Sequence, residues 1–133
     1  PRRLPHARAM RLLLDTHVVL WWRLDAPDLP RPVRRAVATA DQVFVSAASA
    51  WEVAIKVALG KLRLDESFAA MVDDSAFERL PVSFEHAGRL QALPPHHADP
   101  FDRMLVAQAQ VEGLTLVTAD VMLGDYDVTI LWR

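Results

Sequence analysis

Four acidic side chains could share one chemical task, namely Asp15, Glu52, Asp102 and Asp120. Two like charges ~4 Å apart at an effective dielectric of ~20 repel by about 4 kcal/mol, so four ionised carboxylates would need cations to stay together. Ligand sets made only of oxygen select hard ions, and we expect Mg²⁺ or Mn²⁺ rather than zinc. Such a site suits hydrolysis of phosphodiester bonds, because the metal lowers the pKa of a bound water and offsets the charge of the scissile phosphate.

Asp15 ends one short apolar segment of the chain, residues 11–15, and Asp120 lies just beyond another, residues 115–118. We predict that both segments are buried strands, the first of which ends at Asp15. In open parallel sheets, ligands bind at the carboxyl ends of the strands. Each acid alone is equally well explained as a turn or capping residue, and it is their shared location that favours a site.

Glu52 belongs to an apolar segment that we predict to be a helix, capped by Ser46 and continuing to about Leu59. Glu52 and Lys56 are its only charged residues, so we expect the helix to be largely buried. A buried carboxylate is costly unless it is paired or bound to a metal. The alternative is an i,i+4 ion pair of Glu52 with Lys56 on an exposed stripe, which would explain the pair but not the scarcity of polar surface.

The segment Asp99-Pro100-Phe101-Asp102 opens a predicted helix that continues to about Glu112. Asp99 has the character of an N-cap and Pro100 suits the first helical position. Capping is sufficient to explain Asp99. Asp102 lies in the first turn, where an acid is favoured by the helix dipole and can reach into a cleft at the sheet edge.

Several neighbours of the acids have two explanations each. The hydroxyls of Thr16 and Thr118 either orient a carboxylate or end a strand. His17 either contacts a phosphate or caps the first helix. Arg103 either pairs with Asp99 or Glu52 or contacts a nucleic-acid substrate. We expect His96 and His97, which lie in a loop between prolines, to be solvated.

Aromatic and basic residues suggest two hypotheses about nucleic-acid binding. Trp21 and Trp22 could stack on bases, although packing in the core or at a subunit interface is favoured in so apolar a helix. Lys56, Lys61 and Arg63 form a modest basic cluster after Glu52, which we hypothesise to guide the phosphates of a nucleic acid.

The elements that must position these residues alternate along the chain. Predicted strands cover residues 11–15, 43–45, 79–82, 115–118 and 128–131, and predicted helices residues 17–23, 32–40, 46–59, 67–74, 85–93 and 99–112. This alternation predicts an α/β fold whose central parallel sheet is covered by helices on both faces.

Composition limits the function classes. With 133 residues, of which 52% are hydrophobic, the chain suits one domain, which we place at residues 10–133, with residues 1–9 as an N-terminal extension and Met10 as a candidate natural start. A net charge of −2 gives no general affinity for nucleic acid, so local basic groups or bound cations would have to offset the acidic surface if the substrate is a polyanion. The absence of Cys excludes disulfides and thiolate metal sites, and no apolar run reaches the ~18 residues that span a bilayer.

Four blocks of the sequence, spread from Met10 to Trp132, resemble PIN-domain toxins of the VapC type. They are Leu13-Leu-Asp-Thr-His-Val-Val-Leu-Trp-Trp22, the segment from Ser46 to Lys56, Asp99-Pro-Phe-Asp-Arg-Met-Leu-Val-Ala-Gln-Ala109 and Leu116-Val-Thr-Ala-Asp120. The resemblance implies a PIN fold and an Mg²⁺-dependent endoribonuclease in which Asp15, Glu52 and Asp102 are the principal acids and Asp120 the more variable fourth. His17 is a departure, since many members carry Asn or Ser there.

The resemblance also implies partners. Members are typically bacterial toxins that are inhibited by a small cognate antitoxin, usually form homodimers and cleave tRNA or ribosomal RNA, and we expect this protein to be cytoplasmic. Other phosphoryl-transfer classes fit less well: a haloacid-dehalogenase-like phosphatase needs an acid where His17 stands, and a nucleotide-binding module needs a Gly-rich loop in a chain that has only 4 Gly. A non-catalytic PIN-like module that binds RNA or a partner stays open.

Overall fold

The computed structural model describes residues 10–132, and the proposed extension over residues 1–9 lies outside them. Within this range, strands pair in parallel into one sheet of order β3-β2-β1-β4-β5. The strands are β1 (Arg11–Leu14), β2 (Gln42–Ser46), β3 (Glu78–Leu80), β4 (Thr115–Val117) and β5 (Ile130–Leu131). Each strand begins and ends within two residues of its predicted bounds, and β5 is shorter than predicted.

The helices occupy the predicted places between the strands. They are α1 (Thr16–Arg23), α2 (Arg31–Thr39), α3 (Ala47–Ala58), α4 (Phe68–Asp74), α5 (Phe84–Arg89) and α6 (Pro100–Glu112). A 3₁₀ turn, Leu90–Ala92, completes the predicted helix over residues 85–93. A second 3₁₀ turn, Val121–Asp125, was not predicted and follows directly on Asp120. In residues 10–132, no helix combines the length and apolar character needed to cross a membrane.

The leucines of β1 divide the core into two layers because successive side chains of a strand point to opposite faces. Leu12 and Leu14 pack with apolar residues of α1, α2 and α4 on one face. Leu13 packs with Leu105 and Val106 of α6 on the other face. The predicted α/β fold with helices on both faces of a parallel sheet is thereby confirmed.

The expectation that α3 is largely buried is wrong. Its buried residues are Ala48, Ser49 and Val53, which form a narrow stripe against the rest of the protein. Trp51 is 64% exposed and Leu59 63% exposed. The apolar composition of this helix therefore reflects a solvent-facing apolar surface and not only a core-facing one.

The strand order reverses at β1, since β2 and β3 lie on one side of it and β4 and β5 on the other. A crevice opens at such a reversal beyond the carboxyl ends of the strands. Asp15 follows β1 directly, and Asp120 follows β4 after two residues. The topology therefore places these two acids beside the crevice.

Candidate metal centre

One cavity at the carboxyl edge of the sheet gathers the four predicted acids, and we call it the acidic cavity. It has a volume of about 240 Å³. Its walls are formed by Asp15, His17, Trp21, Glu52, Lys56, Asp99, Asp102, Ala119 and Asp120. The acids come from four separate parts of the chain, so only the fold brings them together.

Asp15 is fixed at the junction of β1 and α1. It is the N-cap of α1 and its Oδ1 accepts a hydrogen bond of 2.8 Å from the backbone N–H of His17, while its Oδ2 accepts one of 2.7 Å from the Thr118 hydroxyl. Burial opposes ionisation of this carboxyl, but the hydrogen bonds from His17 and Thr118 outweigh that effect and lower its pKa below the usual value. Asp15 is therefore a preorganised carboxylate.

Glu52 faces the cavity from α3 and has two partners. The Thr16 hydroxyl donates to its Oε1 at 2.8 Å, and Lys56 Nζ lies 3.1 Å from its Oε2. The Thr16 hydroxyl has one proton, which goes to the carboxylate, so Ser49 donates the bond of 2.8 Å that joins the two hydroxyls. Both predicted explanations of Glu52 thus coexist: it forms the i,i+4 pair and lines the cavity.

Asp99 and Asp102 line the cavity at the start of α6, Asp99 as the N-cap and Asp102 in the first turn. Asp99 caps the helix as predicted, and its Oδ1 accepts from the backbone N–H groups of Phe101 at 2.8 Å and Asp102 at 3.0 Å. Burial, followed by the negative charges of Asp99 and Asp15, raises the pKa of Asp102 from 3.8 to about 7. Capping is therefore not the whole role of Asp99, because its charge acts on Asp102.

The expectation that His97 is solvated is wrong. Its Nε2 lies 3.0 Å from Oδ2 of Asp120 and 3.8 Å from Oδ2 of Asp102. The other oxygen of Asp120 accepts a hydrogen bond of 3.1 Å from the backbone N–H of Met122, at the start of the second 3₁₀ turn. His96 is exposed, in accordance with the prediction.

The pairing of Arg103 with Asp99 or Glu52 does not occur. The guanidinium instead donates to the carbonyl oxygen of Pro94 at 2.9 Å and to the hydroxyl of Tyr126 at 3.0 Å. Backbone carbonyl oxygens of the segment before α6 accept from the Arg103 guanidinium, which thereby ties this segment to the helix.

Comparisons with known proteins show which family this chain belongs to. The family model described as the PIN domain matches residues 12–128. The chain belongs to the PIN domain family. The predicted resemblance to VapC-type proteins is confirmed by a relative, Ribonuclease VapC22 of Mycobacterium tuberculosis, which is 30% identical over 112 residues covering 82% of this PIN domain chain and 86% of the relative.

Solved structures share the fold of this PIN domain. VapBC2 from Rickettsia felis, bound to a DNA fragment from the promoter, contains a chain that matches with a TM-score of 0.68 and 16% identity, covering 93% of this chain and all of that chain. FitAcB from Neisseria gonorrhoeae matches with a TM-score of 0.66 and 22% identity, covering 90% of this chain and 96% of that chain. At these identities the likeness demonstrates the fold.

The donor set of the acidic cavity fits a hard divalent cation. Carboxylate oxygens are the ligands that Mg²⁺ and Mn²⁺ prefer. Burial raises the pKa of Asp102 most and the negative charges of Asp99 and Asp15 raise it further, and a cation beside Asp15 and Asp102 would offset that repulsion. Asp102 and Asp120 have oxygens within 4.8 Å of each other, and Asp15 and Glu52 line the same cavity, so these four acids would hold the ion. Metal binding and catalysis by these residues remain predictions.

The aromatic residues of α1 pack mainly against the protein. The ring of Trp21 lies 5.9 Å from that of Trp132, and the ring of Trp22 lies 5.7 Å from that of Phe77. Both tryptophans are partly buried against the core, as the favoured interpretation predicted. Trp21 also forms part of the cavity wall, beside His17.

His97 is the residue of this PIN domain that the sequence analysis missed, and the charge of Asp99 is the effect that it undervalued. A usable signal was present: His97 precedes the predicted cap Asp99 by two residues. Residues next to a cap at the carboxyl edge of a parallel sheet lie close to the site, even when they belong to a loop.

Proposed function

We propose that this PIN domain is an Mg²⁺- or Mn²⁺-dependent endoribonuclease that acts in the cytoplasm as the toxin of a toxin–antitoxin pair. The observation that carries this proposal is the convergence of Asp15, Glu52, Asp102 and Asp120 on one cavity at the strand-order reversal. Membership of the PIN family and the likeness to a relative named a ribonuclease support it.

Each acid would have a definite task in this reaction. Asp15 and Asp102 would hold the cation, and Glu52 and Asp120 would complete its ligand set or hold a second ion. The chemistry that such a cation supplies is activation of a water and neutralisation of charge on the scissile phosphate. Thr16 and Thr118 keep Glu52 and Asp15 oriented through hydrogen bonds of 2.8 and 2.7 Å.

The substrate would be an RNA, of the tRNA or ribosomal RNA class. An acidic protein can bind a polyanion at this cavity because the cation supplies the local positive charge. Lys61 and Arg63 are exposed beyond the end of α3, where they are available to RNA phosphates. Lys56 pairs with Glu52 and lines the cavity, so it would serve the site more than the long-range attraction of RNA.

Protein partners would use the exposed apolar surface of α3. Trp51, Ile55 and Leu59 are spaced four residues apart, so they share one side of this surface, and all three are exposed. Contiguous exposed apolar side chains are typical of protein interaction sites. We assign this surface to a homodimer contact, since apolar surfaces on two identical chains complement each other without opposite charges. The proposal that a cognate antitoxin is a further partner is supported by the likeness of this chain to chains of VapBC structures.

The test is RNA cleavage by the purified, antitoxin-free chain. We expect cleavage of tRNA or ribosomal RNA on addition of Mn²⁺, no cleavage by Asp15→Asn or Asp102→Asn, and full cleavage by the control Asp28→Asn, which changes an exposed acid outside the cavity. Circular dichroism verifies that the variants fold. Binding of RNA without cleavage by the wild-type protein would favour the non-catalytic module, and full activity of either active-site variant would refute the assignment.

A further inference from the structure

The imidazole of His97 stands between two of the predicted ligands of the cation. Its Nε2 and carboxylate oxygens of Asp102 and Asp120 all lie within 4.8 Å of one another. A ring nitrogen at this place has two distinct uses. It can bind the cation directly, or it can donate a hydrogen bond to a carboxylate that binds the cation.

The second ring nitrogen of His97 decides between these uses. The backbone N–H of Asp99 donates a hydrogen bond of 3.3 Å to Nδ1 of His97. A backbone N–H can only donate, so Nδ1 accepts and the proton of the neutral ring is on Nε2. Metal-binding histidines normally have the opposite arrangement, in which the second nitrogen donates to a carboxylate or carbonyl oxygen. His97 is therefore set up as a hydrogen-bond donor.

The loop that carries His97 is held in place from outside the cavity. The Tyr126 hydroxyl accepts a hydrogen bond of 2.9 Å from the backbone N–H of His97 and one of 3.0 Å from Nη1 of Arg103. Tyr126 is buried, and Arg103 also binds the Pro94 carbonyl oxygen. These contacts fix the backbone at His97 and in the loop before it, so the direction of the imidazole does not depend on the carboxylates alone.

We propose that His97 is a positioning residue that donates its Nε2–H to Oδ2 of Asp120 and directs this carboxylate toward the cation, while the ligand set stays all oxygen. The backbone N–H of Met122 holds Oδ1 in the same way. A carboxylate oxygen has two lone pairs, so Oδ2 can accept from His97 and still face an ion. The inference rests on the proposed function, because it requires a divalent cation at the acidic cavity.

The first measurement is Mn²⁺ affinity by calorimetry, with the cation alone and the full chain. His97→Ala removes the donor, and outer partners of this kind typically contribute about 10–100-fold to metal affinity, so we expect a loss of that size. His97→Gln keeps an N–H donor near the position of Nε2 and should restore affinity close to that of the wild type. His96→Ala, at the neighbouring exposed histidine, is the matched control and should bind Mn²⁺ normally.

The second measurement is pulsed electron paramagnetic resonance of the Mn²⁺-loaded wild-type protein. We expect no ¹⁴N coupling of the size that a directly coordinated imidazole gives. Such a coupling, or equal weakening in His97→Gln and His97→Ala, would overturn the donor assignment while leaving the proposed function intact. Failure of the wild-type protein to bind Mn²⁺ would instead overturn both.

Discussion

At the scale of single residues, Asp102 shows most clearly how the acidic cavity differs from an ordinary surface. Burial disfavours its charge, and the nearby carboxylates of Asp99 and Asp15 add repulsion, which together raise its pKa to about 7. Asp15 lies in the same cavity but has a lowered pKa, because Thr118 and His17 donate to its oxygens. Two acids of one site thus have opposite shifts, and hydrogen-bond donors cause the difference.

The raised pKa of Asp102 predicts a stability effect of Asp102→Asn in the metal-free protein. The folded pKa lies above the unfolded value of 3.8, so ionisation of Asp102 destabilises the fold progressively as the pH rises from about 4 to about 7. Asn does not ionise and should raise the free energy of unfolding at pH 8 by on the order of 1–3 kcal/mol, given about 1.36 kcal/mol per pKa unit and some relief by solvent.

Urea denaturation with EDTA present measures this effect. The gain should shrink steadily between pH 7 and pH 4 and be absent below pH 4, where the Asp102 carboxyl is neutral in both states. A gain that does not depend on pH, or a loss of stability at pH 8, would contradict the raised pKa.

At the scale of secondary structure, α6 begins with a residue that has two tasks. The Oδ1 atom of Asp99 caps the helix by accepting from the N–H groups of Phe101 and Asp102, and its negative charge raises the pKa of Asp102. Asn caps helices about as well as Asp but carries no charge. The two tasks can therefore be separated by substitution.

Asp99→Ala and Asp99→Asn should differ in stability and agree in their electrostatic effect. Asp99→Ala loses the cap. Its free energy of unfolding should therefore be about 1 kcal/mol lower than that of Asp99→Asn, since that is the typical cost of removing such a cap. Both variants should lower the pKa of Asp102, which a ¹³C nuclear magnetic resonance titration of the side-chain carboxyl measures. Equal urea midpoints for the two variants would show that the cap is not formed.

The sides of helix α3 face three different environments. One side carries Glu52 and Lys56 at the cavity wall, and a narrow stripe around Val53 meets the core. The rest of its surface is apolar and exposed. This arrangement places a catalytic candidate and a proposed contact surface on one rigid element, so that a partner bound along α3 would lie beside the cavity.

At the scale of the whole molecule, the exposed surface of α3 predicts self-association. We expect the wild-type chain to sediment as a dimer at micromolar concentration and Ile55→Ser/Leu59→Ser as a monomer. Stability of the folded chain should change by only about 0.5 kcal/mol per site, as is usual for exposed positions. Leu24→Ser, which changes a leucine that is 65% exposed at the end of α1, is the control and should remain a dimer. A monomeric wild type would refute the assignment.

The sequence by itself determined the features that depend on local rules. Alternating apolar segments specified the parallel α/β fold, because a strand buried on both faces and an amphipathic helix have different patterns. The order of strands and helices also indicated that Asp15, Asp102 and Asp120 come to one edge of the sheet. Asp99 was recognised as a cap because capping depends on a few neighbouring residues.

Only the tertiary structure decided what depends on distant parts of the chain. The position of His97 depends on Tyr126, which is remote in sequence and accepts hydrogen bonds from the His97 backbone N–H and from Arg103. The exposure of α3 could not be predicted either, because an apolar helix has the same sequence whether its surface meets a core or a partner. Composition reports how apolar an element is, and packing decides which of its sides is covered.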